Sequence, residues 1–425
     1  MNPGLELLQP YPFERLAALR EGITPAPEHT PISLAIGEPQ GSPPPKVIGV
    51  LAGQLELLGR YPATRGMPAL RETISDWLCR RFELKATMLD PERHVLPVNG
   101  TREALFAIAQ AMISRTPGAR VAMPNPGYQI YEGATLLAGA QPLYLDCTEQ
   151  TGFLPGLDAV SDADWAACQL VYICTPGNPT GRVANLDWLS RLIGLADRHD
   201  FIIASDECYS EIYPDEKHPP PGLLQACARL GRDDFSRCLV FHSLSKRSSL
   251  PGLRSGFVAG DAALIQTFLR YRTYHGCAMS PPTQHASIAA WQDEEHVREN
   301  RAAYRQRIQQ VQPLLARVLD TPMPDGAFYL WSRTPVSDTD FALALYRHFN
   351  VSVIPGSFLG RDNGQGNPGA NRVRISLVAP VDECVSAASR IMALSEALRQ
   401  QQHSGQDQTS GLARLIDRLR GQAGP

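Results

Sequence analysis

The sequence has no run of about 18 apolar residues, and its start, MNPGLELLQPYPFERLAAL, has no basic segment leading into an unbroken apolar stretch; neither a membrane span nor a secretory leader is expected. It also has no block of basic residues. The 40 Lys and Arg are slightly outnumbered by 43 Asp and Glu, giving a formal charge of −3, so nucleic acid and anionic membrane surfaces are not expected partners. The nine cysteines are scattered and odd in number, and no C-x-x-C pair occurs. That pattern suits reduced, buried thiols rather than disulfides or a zinc site, and no metal is expected. No G-x-G-x-x-G follows an apolar strand and no G-x-x-x-x-G-K-[ST] occurs, which disfavours a nicotinamide dehydrogenase and a P-loop nucleotide site. There is no internal repeat. A cytoplasmic protein is expected.

What is present is length and pattern. At 425 residues the chain is too long for one ordinary core, so two domains are expected. Seven short, nearly continuous apolar runs, HVLPV, RVAMP, PLYLD, QLVYIC, FIIASDE, CLVFHS and SGFVAG, lie between about residues 90 and 290. Continuous apolar runs suit strands buried on both faces of a mostly parallel sheet. Between two of them, Leu186, Leu189, Leu192, Ile193 and Ala196 share one helical face. The expected fold is α/β, with a mostly parallel sheet of seven strands in a large domain and a smaller α+β domain. The boundaries expected are 1–45 for a segment joining the small domain, 46–294 for the large domain, 295–400 for the small one, and 401–425 for a polar tail. In that tail Leu412, Leu415, Ile416 and Leu419 fall on one face of a possible short helix, read as docked on its own protein or frayed.

In open α/β sheets ligands bind beyond the carboxyl ends of strands. There the sequence delivers Asn178 in TPGNPTG, Asp206 and Tyr209 in SDECY, and Ser243, Ser245 and Lys246 in SLSK. A fourth strand end, NGTREALFAIAQAM, is a glycine turn into a helix whose first turn carries Gly100 and Thr101, and whose free backbone N–H groups make a phosphate cradle. Singly these are weak signals: an Asp at a strand end is more often a helix cap, a Lys in a serine-rich loop is usually solvated, and NPTG is ordinary turn chemistry. In this order they coincide rarely by accident. The stretch SLSKRSSLPGLRSG, residues 243–256, sets hydroxyls, a primary amine and a guanidinium side by side, the inventory of an anion site with a nucleophile next to it.

From about residue 33 to 395 the chain resembles the fold-type I, pyridoxal-phosphate-dependent aminotransferases of classes I and II, most specifically in S-x-S-K followed eight residues later by Arg254. The resemblance implies pyridoxal 5′-phosphate bound covalently by Lys246, with Ser243, Ser245, Arg254 and the Gly100–Thr101–Arg102 turn around its phosphate. Asp206 would then face the ring nitrogen, Asn178 and Tyr209 the ring oxygen, and Tyr128 in PNPGYQIY would stack on the ring. Tyr61 in RYPATRG resembles the tyrosine that reaches the neighbouring subunit's phosphate, which implies a homodimer with shared active sites. Arg374 in RVRISL lies where the family clamps the substrate carboxylate; Arg372, two residues earlier on the same face, competes with it. Gly37 in AIGEP resembles the family's substrate-adjacent glycine.

For the substrate, PYPFERL, GEPQGSPP and YRTYHGCAMSPPTQHASIAAW resemble N-succinyldiaminopimelate aminotransferases of bacterial lysine synthesis. The implied reaction passes an amino group between glutamate and N-succinyl-2-amino-6-oxopimelate. Further basic contacts to the distal carboxylates are expected, with Arg65, Arg102, Arg272 and His275 as unranked candidates. The alternatives are another class I aminotransferase, acting on alanine, aspartate or an aromatic amino acid, and a cysteine-S-conjugate β-lyase on the same scaffold. A cofactor-dependent DNA-binding regulator lacks support, because no helix-turn-helix domain precedes the catalytic region.

Overall fold

All seven apolar runs form strands, and they pair into one sheet. The computed structural model describes the backbone of residues 1–404 and the side chains of residues 1–400; the tail helix expected around Leu412 to Leu419 lies outside the described residues. In chain order the strands are β1 (Ile32–Ser33), β2 (Val95–Val98), β3 (Arg120–Asn125), β4 (Gln141–Asp146), β5 (Cys168–Cys174), β6 (Ile202–Asp206), β7 (Cys238–Ser243), β8 (Gly256–Gly260), β9 (Tyr329–Arg333), β10 (Val351–Ser352), β11 (Ile354–Pro355) and β12 (Arg372–Ser376).

The large sheet has the order β2-β8-β7-β6-β5-β3-β4, and only β8 runs against its neighbours. Alternate side chains enter two separate cores, one on each face of the sheet. Val171, Ile173, Ile203 and Val240 join one of them with the helix Leu186–His199, while Leu170, Tyr172, Ala204 and Leu239 join the other with the helix Thr101–Met112. Burial on both faces is why these strands read as continuous apolar runs rather than alternating ones. In the helix Leu186–His199 the residues Leu189, Leu192, Ile193 and Ala196 are buried as the spacing requires.

The rest of the fold is built on a second, antiparallel sheet, β11-β12-β9, and on the short parallel pair β1 with β10. Ile32 and Leu34 from the N-terminal segment share a core there with Val373, Ile375, Leu345 and Ile391. The 21-residue helix Glu295–Leu315 contributes Ile308, Val311 and Leu315 to the same core. The N-terminal segment therefore returns to the smaller sheet before the chain enters the large one. The strand ends of both sheets open onto one cavity.

Candidate active site

The cavity has a volume of about 610 Å³ and lies at the carboxyl ends of β5, β6 and β7. Fourteen residues were expected around a cofactor and substrate. Lys246, Thr101, Arg102, Tyr128, Asn178, Asp206, Tyr209, Ser243, Ser245, Arg254, Gly37 and Arg374 all line this cavity. Gly100 is adjacent to its wall. Tyr61 is not there: its side chain is fully exposed on the surface of this chain.

Lys246 is held by the way its strand ends. After β7 the chain makes one helical turn, Leu244–Arg247, with Ser243 Oγ accepting from Ser245 N at 3.1 Å to cap it. The Lys246 amine reaches across the cavity and donates to the Gly37 carbonyl at 2.6 Å. Withdrawal from bulk water pushes the amine's pKa down to about 8; the Arg374 and Arg102 guanidiniums add to that shift, and Cys208 and Glu38 oppose it. A lowered pKa makes the neutral, nucleophilic amine more accessible near neutral pH.

Asp206 closes the end of β6 and is buried. Tyr131 Oη donates to its Oδ2 at 2.7 Å and Cys208 N to its Oδ1 at 3.3 Å. Burial raises its pKa, and these donors oppose the rise. A buried carboxyl with two donors can still accept from a cationic partner placed in the cavity, which would favour its charged form.

Beside it lies an anion cradle. Gly100 takes a φ of +85°, open to glycine, and starts the helix Thr101–Met112. A methyl group on Gly100 would lie 2.9 Å from Cζ of Arg254, so the missing side chain is what admits the guanidinium. Ser243 Oγ and Ser245 Oγ are 2.9 Å apart on the same side, and Arg254 is steadied by donation from Nη1 to the Pro251 carbonyl at 2.9 Å. Two hydroxyls, a guanidinium and unpaired backbone N–H groups converge here.

Arg374, on β12, faces the cavity from the smaller sheet. Its Nη1 donates to Asn178 Oδ1 and its Nη2 to the Ala35 carbonyl, both at 2.8 Å, and the guanidinium lies 4.6 Å from the centre of the Tyr329 ring. Its Nε is buried and has no hydrogen-bond partner among the described residues. Arg372, on the same face of β12, is directed elsewhere: it pairs with Glu149 and Asp320 and covers the Phe153 ring at 4.6 Å. The two arginines that sequence period could not separate are separated by their neighbours.

Of the four candidates for distal carboxylates, only Arg102 reaches the cavity. Its Nε donates to Tyr128 Oη at 2.7 Å. The other three lie away from this chain's cavity. Arg272 is fully buried and held by Glu103, Asn99 and the Cys277 carbonyl; Arg65 bonds Gln266 and the Glu92 carbonyl; His275 sits on the exposed end of the helix Ala262–His275. Glu103, His275 and Cys277 also bring ligand atoms within 4.8 Å of one another, but the Arg272 guanidinium already pairs with Glu103 and opposes a cation there.

Three residues were not singled out from the sequence. Tyr131 could have been found by asking what satisfies a buried Asp206, since it stands one helical turn beyond Tyr128. Tyr329, from GAFYLW, shares a 2.8 Å hydrogen bond with Tyr209 and fills the space that any side chain on Gly37 would need. Cys208 carried no signal; its Sγ lies 2.9 Å from Thr101 Oγ1.

Residues 29–391 match the model of the family described as aminotransferase class I and II. An LL-diaminopimelate aminotransferase of Maridesulfovibrio salexigens is 31% identical over 92% of this chain and 98% of its own. Among solved structures, an aminotransferase from Neisseria meningitidis superposes with a TM-score of 0.89 at 46% identity, over 93% of this chain and all of that one. A probable N-succinyldiaminopimelate aminotransferase from Thermus thermophilus superposes with a TM-score of 0.77 at 27% identity, over 90% and 98%. A match of this extent, on a sheet whose strand ends gather an amine, a buried carboxyl and an anion cradle, makes the chain a member of the class I and II aminotransferases, enzymes that depend on pyridoxal 5′-phosphate.

Proposed function

We propose that this aminotransferase passes an amino group between glutamate and N-succinyl-2-amino-6-oxopimelate, with Lys246 as the catalytic amine. The observation that carries the reading is the presence of two guanidiniums, Arg374 and Arg102, in the same cavity as Lys246 and near enough to act on its charge. A substrate with carboxylates at both ends needs two such groups.

The donor set fits the cofactor. Gly100, Thr101, Ser243, Ser245 and Arg254 would hold its phosphate, Asp206 its ring nitrogen, Asn178 and Tyr209 its ring oxygen, and Tyr128 its face. Bound pyridoxal phosphate supplies an aldehyde that captures amines and a cationic ring that draws electrons from the captured amino acid's Cα–H bond. Tyr131, by donating to Asp206, orients the carboxylate that keeps the ring nitrogen protonated. Arg374 grips the substrate's α-carboxylate; its bonds to Asn178 and Ala35 fix the plane of the fork, so little side-chain freedom is lost on binding. Lys246 Nζ, displaced by the substrate's amine, would take the proton from the substrate Cα as general base. As general acid it would then give it up at a carbon other than Cα, so that Cα is left as the keto carbon and the amino group is transferred. Gly37 leaves the room that Tyr329 borders.

Arg102 is the group for the distal carboxylate. Only its Nε has a protein partner among the described residues, and its two terminal nitrogens stay available. The LL-diaminopimelate and N-succinyldiaminopimelate names of the relatives support a seven-carbon diacid skeleton. Tyr61, exposed in the single chain, is the residue we assign to the phosphate of a second copy in a homodimer.

The test is an absorbance titration of the purified holoenzyme. Glutamate should convert the cofactor to its amino form, and the succinylated keto acid should restore it. Restoration by unacylated substrate alone would overturn the succinyl assignment, and pyruvate release from cystathionine would favour the lyase. Turnover by Lys246→Ala at the wild-type rate would sink the whole reading.

A further inference from the structure

The amine of Lys246 is described by its partner Gly37, but its backbone is held from an unexpected direction. The single turn Leu244–Arg247 leaves its last carbonyls without partners inside the turn. Asn300, from the helix Glu295–Leu315, supplies them: Nδ2 donates to the carbonyls of Lys246 at 2.9 Å and Arg247 at 3.1 Å, while Oδ1 accepts from Ser249 Oγ at 3.0 Å. One turn earlier on that helix His296 Nε2 lies 2.8 Å from Ser248 Oγ, and Glu294 just before it accepts from Arg247 at 2.7 Å. Two residues after the turn, Ser249 is buried with a φ of +50°, a left-handed conformation that a serine keeps only where its surroundings impose it.

We propose that Asn300 is a positioning residue for Lys246, fixing through the two carbonyls the backbone point from which the amine swings between Gly37 and the substrate. The side chain of lysine is a flexible four-carbon stem, so the arc its nitrogen sweeps is set by where its Cα is anchored. Proton transfer tolerates little error in that arc. The helix that carries Asn300 runs on into the smaller core through Ile308, Val311 and Leu315. One rigid element therefore joins the lysine turn to the sheet that presents Arg374.

This inference rests on the reading of Lys246 as the catalytic amine, and the experiment separates the two. Asn300→Ala and Lys246→Ala are made in the holoenzyme, and steady-state kinetics are read beside amide hydrogen exchange. For Asn300→Ala we expect kcat to fall roughly 10- to 100-fold with KM little changed, and exchange at residues 246–250 to quicken while β7 is unaffected. A purely structural cap would lower thermal stability without that kcat-against-KM split. Unchanged kcat, or a lower kcat with unaltered exchange at 246–250, overturns the proposal. If Asn300→Ala does not fold, Ser249→Ala, which removes one of the three bonds, decides: faster exchange at 246–250 with a smaller loss of kcat supports it, and unchanged exchange overturns it. Turnover by Lys246→Ala would defeat the reading of Lys246 itself and leave the exchange result to judge Asn300 alone.

Discussion

Arg374 and Asn178 are 196 residues apart in the chain and 2.8 Å apart in the fold, Nη1 to Oδ1. That one bond joins β12 of the smaller sheet to the loop after β5 of the large one, and it fixes the plane in which the guanidinium meets a carboxylate.

Arg374→Lys breaks this arrangement while keeping the charge. An ammonium cannot hold Asn178 and Ala35 and still offer two parallel N–H groups. One charge-assisted hydrogen bond, about 1.5–3 kcal/mol, is lost. KM for amino acid substrates should rise about 10- to 100-fold, with a smaller effect on kcat. An unchanged KM would remove Arg374 from substrate binding.

Lys246 gives a pH signature in the cofactor-free protein. Burial holds its folded pKa at about 8, below the 10.5 of a solvated lysine amine. Between those values the unfolded chain holds the proton more tightly than the folded one, so stability rises with pH across that window and is flat, at its lower level, below it. Denaturation midpoints measured from pH 7 to 10 should show this gain in the wild type and lack it in Lys246→Met. Equal slopes would mean that the amine is not withdrawn from water.

Arg102→Leu separates substrates by their far end. The ratio of kcat/KM for glutamate to that for alanine should fall at least about tenfold, the effect of one lost charge-assisted bond. A constant ratio would leave the distal carboxylate to another residue.

Arg272→Met tests the opposite expectation. The guanidinium is fully buried on Glu103, and removing it leaves a carboxylate without its charge partner. A loss of about 3–5 kcal/mol of stability is expected, with the glutamate-to-alanine ratio unchanged. A shifted ratio would return Arg272 to the substrate site.

The sheet and most of the site were legible because both depend on local pattern. Strands buried on two faces are apolar throughout, and chemistry at a parallel sheet sits where those runs stop, so Asp206 and Lys246 could be read off the ends of FIIASD and CLVFHS. Residues whose meaning depends on distant partners were not legible. Arg372 and Arg374 share a face by period, and only Glu149 and Asp320, far away in the chain, draw the first one off. Arg272 looked available until Glu103 was seen beside it. The two-residue strands Ile32–Ser33, Val351–Ser352 and Ile354–Pro355 are too short to impose a pattern. Asn300 stands in a charged helical stretch with nothing to distinguish it until the lysine turn packs against it.

The partner of the Lys246 amine is a carbonyl of the main chain, at Gly37. No point substitution can delete a carbonyl, so this contact is shielded from the ordinary route by which sequences drift. What mutation can alter is the path of the backbone that carries it: a side chain at position 37 meets Tyr329, and the oxygen moves with the displaced chain. The resting place of the amine is thus inherited as a shape of the backbone, and Tyr329 is the residue whose bulk guards it.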